Sequence, residues 1–241
     1  ILNKNTNLQK VFNYLSLMLN VLKADFNNCA DRSGRTFNKI EKLKHSLSYF
    51  IQEHKRIQVD IKPKIERTFN IEKLVNPYLI TVALFTPSTK NTFYELERFI
   101  QENHPDLYEE DMFEFFINFG DIAQGLATLG DSALKLSVTH ILWDQGIIEK
   151  GKITRAKERI EQNSNLSKYC DKIELYEHRI YIKSKFFDPK PSTVKHIKGT
   201  LMEALLGIYY LENGFPGVLE LIRSLEDQQK KFDETEVLVE R

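Results

Sequence analysis

The chain has 241 residues, 41% hydrophobic and 28% charged, enough to bury a sizeable core as one large domain or two small ones in a soluble globular protein. Its 34 Lys and Arg match its 34 Asp and Glu, so the net charge is zero and any face that binds nucleic acid must be local. No apolar run is long enough to span a bilayer and the N-terminus lacks the order of a signal peptide, which predicts a cytoplasmic protein with no membrane partner.

In chain order, Leu8, Val11, Phe12, Leu15, Met18, Leu19 and Leu22 recur at three- and four-residue steps and predict an amphipathic helix from Leu8 to Phe26. Asn, Asp, Ser and Gly between Asn27 and Arg35 break the pattern. A second helix is expected from about Phe37 through Ile51, with Ile40, Leu43, Leu47, Phe50 and Ile51 as its apolar face. Lys62-Pro63 marks a boundary, because proline disfavours helix in the residue before it. Residues 1–65 therefore read as a helical hairpin, 66–225 as the main domain and 226–241 as a charged tail expected to fray. The main domain reads as helix after helix. Only Ile173 to Ile182 has strand-like alternation, as a short hairpin or a surface loop. Cys29 and Cys170 stand far apart, with no His or Cys at metal-ligand spacing, and read as reduced thiols.

Four blocks of the main domain carry a resemblance. The stretch from Asn76-Pro77 through Ala83-Leu84-Phe85-Thr86-Pro87-Ser88 is followed by Leu126-Ala127-Thr128-Leu129-Gly130-Asp131-Ser132-Ala133-Leu134. Next come Gly151-Lys152-Ile153-Thr154 with Asn163-Ser164-Asn165-Leu166, and then Thr200-Leu201-Met202-Glu203-Ala204-Leu205-Leu206-Gly207, running on to Tyr210-Leu211-Glu212-Asn213-Gly214-Phe215. In this order the blocks resemble the ribonuclease III family, with Phe85 and Thr86 departing from its Ala-Leu-Thr-His-Pro-Ser opening. The resemblance implies an all-α, ribonuclease III-like endonuclease domain, here preceded by the N-terminal helical hairpin. It further implies a homodimer, double-stranded or structured RNA bound across the dimer, and phosphodiester cleavage with Mg2+ or Mn2+. After Leu225 too few residues remain for the double-stranded-RNA-binding domain that the family often appends.

Phosphodiester hydrolysis needs an activated water and stabilisation of the leaving oxygen, and divalent metals held by carboxylates supply both. The family places two acids four residues apart in its first signature helix and two acids three residues apart in its second. At those positions this chain has Ala127 and Asp131, then Thr200 and Glu203. Asp131 and Glu203 are thus the expected catalytic and metal-binding residues, and Ala127 and Thr200 are degenerate acid positions. Compensating ligands among Glu109, Glu110, Asp111, Glu114 and Asp121 are weighed against a solvated acidic face. Gly130 and Gly207 read as close helix packing. Lys152, Arg155 and Lys157 form a candidate phosphate-contacting edge; the interleaved Glu149, Glu158 and Glu161 equally fit a solvated helix of local ion pairs. His140 and His196 read as packing or surface residues, and Trp143 as core. The function expected is a metal-dependent endoribonuclease of ribonuclease III type, with a catalytically impaired relative that binds RNA or assembles into a larger complex as the alternative.

Overall fold

The structure, a computed structural model, describes residues 7–30, 32–71, 76–182 and 189–239, with the side chains of Arg159 and of 226–239 left aside. The described residues fall into two compact units. One is drawn from Ile1–Asp60, Pro77–Ala123 and His178–Phe187, the other from Ile61–Asn76, Gln124–Glu177 and Asp188–Arg241. The fold is all-α; among the described residues no strand forms, and an isolated parallel bridge joins Phe85 to Ile180.

The first unit opens with the helical hairpin, α1 (Leu8–Asn28) packed on α2 (Arg35–Arg56). The side chain of Asn7 caps α1 by accepting a hydrogen bond from the Lys10 amide at 3.0 Å. The residues that set the helical period are the ones buried: Leu15, Met18 and Leu22 on α1 face Leu43, Leu47 and Phe50 of α2, all fully excluded from water. A turn of π-helix, Ile57–Ile61, leads into α3 (Lys62–Phe69), where Pro63 sits in the first turn. Helical backbone runs unbroken from α2 through the π turn and Pro63, so the boundary expected at Lys62-Pro63 is a change of helix type and not a break, with the widened turn accommodating the missing Pro63 N–H.

The first unit continues with α4 (Tyr78–Ala83), α5 (Lys90–Asn103) and α6 (Glu110–Ile117), and ends with the first residues of α7 (Phe119–Asp144). Its centre is aromatic. Phe50, Phe85, Phe93, Phe113, Phe116 and Phe119 are all within 2% of complete burial. Phe85 and Phe119 have ring centroids 4.6 Å apart, and Phe93 stacks on Phe116 at 5.4 Å. Such ring pairs add about 0.5–1.5 kcal/mol each to the burial of their area. Phe85, which departs from the resembled opening, is therefore a core side chain.

The second unit contains α3, the rest of α7, α8 (Lys150–Glu161), α9 (Asn163–Lys172) and α10 (Pro191–Val239). α9 packs along α10, and Lys198 of α10 pairs with Asp171 of α9. α10 bends at Gly214, whose φ of 67° lies where a side chain strains the backbone, with Pro216 two residues on. Its backbone is helical to Val239, while the expected fraying of the charged tail concerns residues outside the side-chain description. The segment read as a hairpin or surface loop is neither. Ile173, Leu175 and Ile180 are buried, and Leu175–His178 forms a turn of 3-10 helix. Only Leu175 of the alternating residues lies in that turn, while Ile180 bridges to Phe85, so the alternation marks a buried connection of mixed conformation.

His54 sits inside the first unit, stacked on Phe12 at 4.2 Å, with its Nδ1 hydrogen-bonded to the Thr81 hydroxyl at 2.9 Å. Burial, helped by the neighbouring Lys55 charge, lowers its pKa from 6.5 to about 4, so the folded protein holds it neutral. The unfolded chain takes up that proton first as pH falls. This contribution to stability is therefore complete above pH 6.5 and is lost progressively towards about pH 4. His54→Phe keeps the ring and removes the titration. Urea unfolding of the two proteins is expected to show the stability of native protein falling faster than that of the variant across this window. Parallel pH profiles would refute it.

Candidate active site

The site is built where α7 crosses α10 in the second unit. On α7 the buried positions Leu126, Ala127, Gly130, Ala133, Leu134, Ser137, Val138 and Ile141 form one stripe at three- and four-residue steps. Its middle is made of small residues, and the opposing stretch of α10 has Gly207 in the same role. A Cβ placed on Gly130 would lie 1.7 Å from the Glu203 carbonyl oxygen, and one on Gly207 would lie 2.0 Å from the Leu126 carbonyl oxygen. The helices thus touch backbone to backbone, as the paired glycines imply.

Asp131 follows the α7 glycine directly, and Glu203 is one turn before the α10 glycine, so the crossing brings the two acids together. Asp131 is one-third exposed. Glu203 is half-buried: burial first, then the negative charge of Asp131, raises its carboxyl pKa, while Lys135 pulls it down. Lys135 was not singled out in the sequence. Its ammonium donates to Asp131 Oδ2 at 2.6 Å, and that bond, then the charges of Asp131, Glu161 and Glu203, raise its own pKa despite desolvation. A signal was present in the spacing, since an Asp four residues before a Lys is a favoured helical pair.

Glu161, the last residue of α8, is the second addition. Burial raises its carboxyl pKa; Lys157 and Lys135 lower it and Asp131 raises it again. Its Oε1 is shut away from water with no hydrogen-bond partner, and the nearest cation, Lys157 Nζ, is 3.8 Å away. Nothing in its sequence position separated it from the solvated acids of α8, because only tertiary packing turns it inward.

The donors present do not suit a resident magnesium ion. Ala127 is 5% exposed, inside the crossing, and Thr200 brings no carboxylate. Among the described residues no group of three or more His, Cys, Asp or Glu is placed to hold a metal. A hard cation wants several oxygen ligands, and of the two acids at family positions one is already bonded to an ammonium.

The other residues weighed from sequence separate cleanly. Glu109, Glu110, Asp111, Glu114 and Asp121 are exposed and belong to the first unit; Glu109 pairs with Lys10 at 3.1 Å and Asp121 with Lys90 at 2.9 Å. On α8, Lys152 pairs with Glu149 at 2.7 Å, Arg155 is exposed, and Lys157 leans towards Glu161. His140 meets the edge of Phe215, and His196 lies 3.4 Å from the Asn163 amide. Trp143 corrects its core reading: it is 62% exposed, since the buried stripe of α7 passes through Ile141 and Leu142 and leaves the next position outside. Cys170 is buried, which pushes its thiol pKa up to about 12 and leaves it unreactive at neutral pH.

The crossing makes opposite forecasts for two glycines of one helix. Gly130→Ala forces a methyl into the α10 backbone and is expected to destabilise by about 3 kcal/mol or more. Gly125→Ala, with nothing within 4 Å of its added Cβ, is expected to stabilise by about 0.5–1 kcal/mol through helix propensity. Chemical denaturation of both variants checks the pair, and equal effects would contradict the backbone contact.

Among curated proteins no match to the chain is found. The family model described as "Ribonuclease III domain" matches residues 124–214, a span that begins just before the small-residue stripe of α7 and ends at the bend of α10. The crossing and the acids beside it lie inside that match, and it is residues 124–214 that match a ribonuclease III domain.

Proposed function

We propose that this domain binds structured or double-stranded RNA without cutting it, and that the protein serves in RNA binding or in assembly of a larger complex. The observation that carries this reading is the acid set: Ala127 and Thr200 stand at two of the four positions where the family has carboxylates. The buried place of Ala127 adds to it, because a carboxylate there would have to be desolvated inside a backbone contact. The opposing reading, a weak endonuclease using Asp131 and Glu203 with Mg2+ or Mn2+, makes a different forecast. Incubation of native protein with long double-stranded RNA and either metal is expected to yield a retarded complex and uncut RNA. Metal-dependent cleavage that disappears in Glu203→Ala would overturn the proposal.

RNA contact is assigned to the α8 edge, where Lys152 and Arg155 reach solvent. Lys157 is a poorer contact because it turns towards Glu161. Binding through phosphate should weaken with salt, and removing one cation should reduce the slope of log affinity against log salt by about 1. Arg155→Ala and Lys152→Ala are each expected to do so with little dependence on RNA sequence, as filter binding across a salt series would report. Unchanged slopes would remove α8 from the interface.

A homodimer is part of the same proposal. Leu136 and Trp143 of α7 lie seven residues apart on one helical face, 56% and 62% exposed, and Leu211 of α10 adds a third exposed apolar side chain in that unit. A two-fold pairing through this face would cover them. Trp143→Asp is expected to shift the protein towards monomer in light scattering at micromolar concentration; native protein that is already monomeric there counts against the pairing.

A further inference from the structure

The disagreement between the acid pair and a resident metal has a specific structural form. Lys135 is one helical turn beyond Asp131, in the favoured Asp-to-Lys order, and its Nζ is 2.6 Å from Oδ2. The same ammonium acts on Glu161 at the end of α8 and on Glu203 of α10. Asp131 thus takes its bonded cation, and Glu203 its favourable charge, from one side chain, while Glu161 has Lys157 at 3.8 Å.

We infer that the Lys135 ammonium is the resident counterion of Asp131 and Glu203, standing in for the divalent cation that the family's acids would otherwise gather. The inference deepens the non-cleaving reading, on which it rests, by naming what neutralises the acids in place of metal.

Three arguments support the substitution. The first is charge. Glu203 and Asp131 are forced together by the glycine crossing and repel, and Lys135 is the cation that offsets both. Glu161 keeps Lys157 at 3.8 Å, but removal of Lys135 would leave the repulsion between Asp131 and Glu203 uncompensated. The second is competition. A tethered ammonium meets its carboxylate at an effective concentration on the order of millimolar or above, and a metal must displace it to enter. The third is ligand number. Mg2+ keeps most of its water and needs one or two free carboxylates, and the lysine occupies Asp131, one of the two.

The consequence is that removing the lysine should create a metal site that the native protein lacks. Native protein, Lys135→Met and Lys135→Arg are compared without RNA, by the loss of free Mn2+ signal in electron paramagnetic resonance and by thermal midpoints with and without Mg2+. Lys135→Met is expected to bind Mn2+ about tenfold or more tightly than native protein, because it frees a carboxylate ligand and removes a positive charge. Its midpoint should rise by roughly 3 °C or more at saturating metal. Lys135→Arg, which keeps the cation, should behave as native protein, and adding Glu203→Gln to Lys135→Met should abolish the gain.

Circular dichroism establishes that each variant is folded. If Lys135→Met is not, Lys135→Gln, which retains a longer stem and a donor, carries the same comparison. The inference is overturned if native protein binds Mn2+ as tightly as the folded variant, or if the folded variant gains no affinity. Because metal occupancy is read in the absence of RNA, these failures are separate from cleavage by native protein, which would overturn the proposed function itself.

Discussion

The contact on which the functional region depends is the meeting of two helix backbones at Gly130 and Gly207. Helices whose crossing residues carry side chains keep their axes about 8–10 Å apart, and only small residues let them come closer. Here a methyl group on either glycine would fall within 2.0 Å of a carbonyl oxygen of the other helix. Everything that α7 and α10 present near the crossing is brought together by that approach. The flanking residues Leu126, Leu134, Met202, Leu205 and Leu206 are buried around it and hold it closed. Each contributes about 1.5–3 kcal/mol of apolar burial.

The same closeness creates an electrostatic problem. Two carboxylates carried to one place repel, and partial burial raises the cost of keeping them charged. In the ribonuclease III family the resemblance implies that metal solves this and is then used for chemistry. In this chain a lysine stands on the next turn of the same helix, and the upward shift of the Glu203 and Glu161 carboxyls shows that burial and the Asp131 charge still outweigh it. Small substitutions at Ala127 and Thr200 fit the same economy of charge, since each removes a carboxylate from the neighbourhood of the crossing.

The first unit is held by different means. Its interior is a run of phenylalanines from α2, α5, α6 and the start of α7, joined by Phe85 from the turn after α4. Rings fill space with few rotatable bonds, which suits a junction of short helices such as α4 and α6 that have little propensity to stand alone. Phe85 and Thr86 are where the chain departs from the opening motif it resembles. Both find structural work in the bridge to Ile180: the Phe85 ring is buried, and the Thr86 amide donates to the Ile180 carbonyl.

Much of this was legible in the sequence, because helical periodicity and small-residue placement are local properties. The apolar repeat from Leu8 to Leu22 and from Ile40 to Phe50 determined the first two helices, and the blocks around Gly130 and Gly207 determined which helices approach each other and which acids accompany them. What a period cannot encode is which exposed-looking side chain turns inward. Glu161 reads as one more acid on a charged helix until packing closes over its carboxyl. Lys135 reads as an ordinary surface lysine until Glu161 and Glu203 arrive around it from other parts of the chain. Trp143 reads as core until the stripe of α7 is seen to end one residue short of it. In each case the outcome depends on the summed field and packing of residues far apart in sequence, and those exist only once the helices have met.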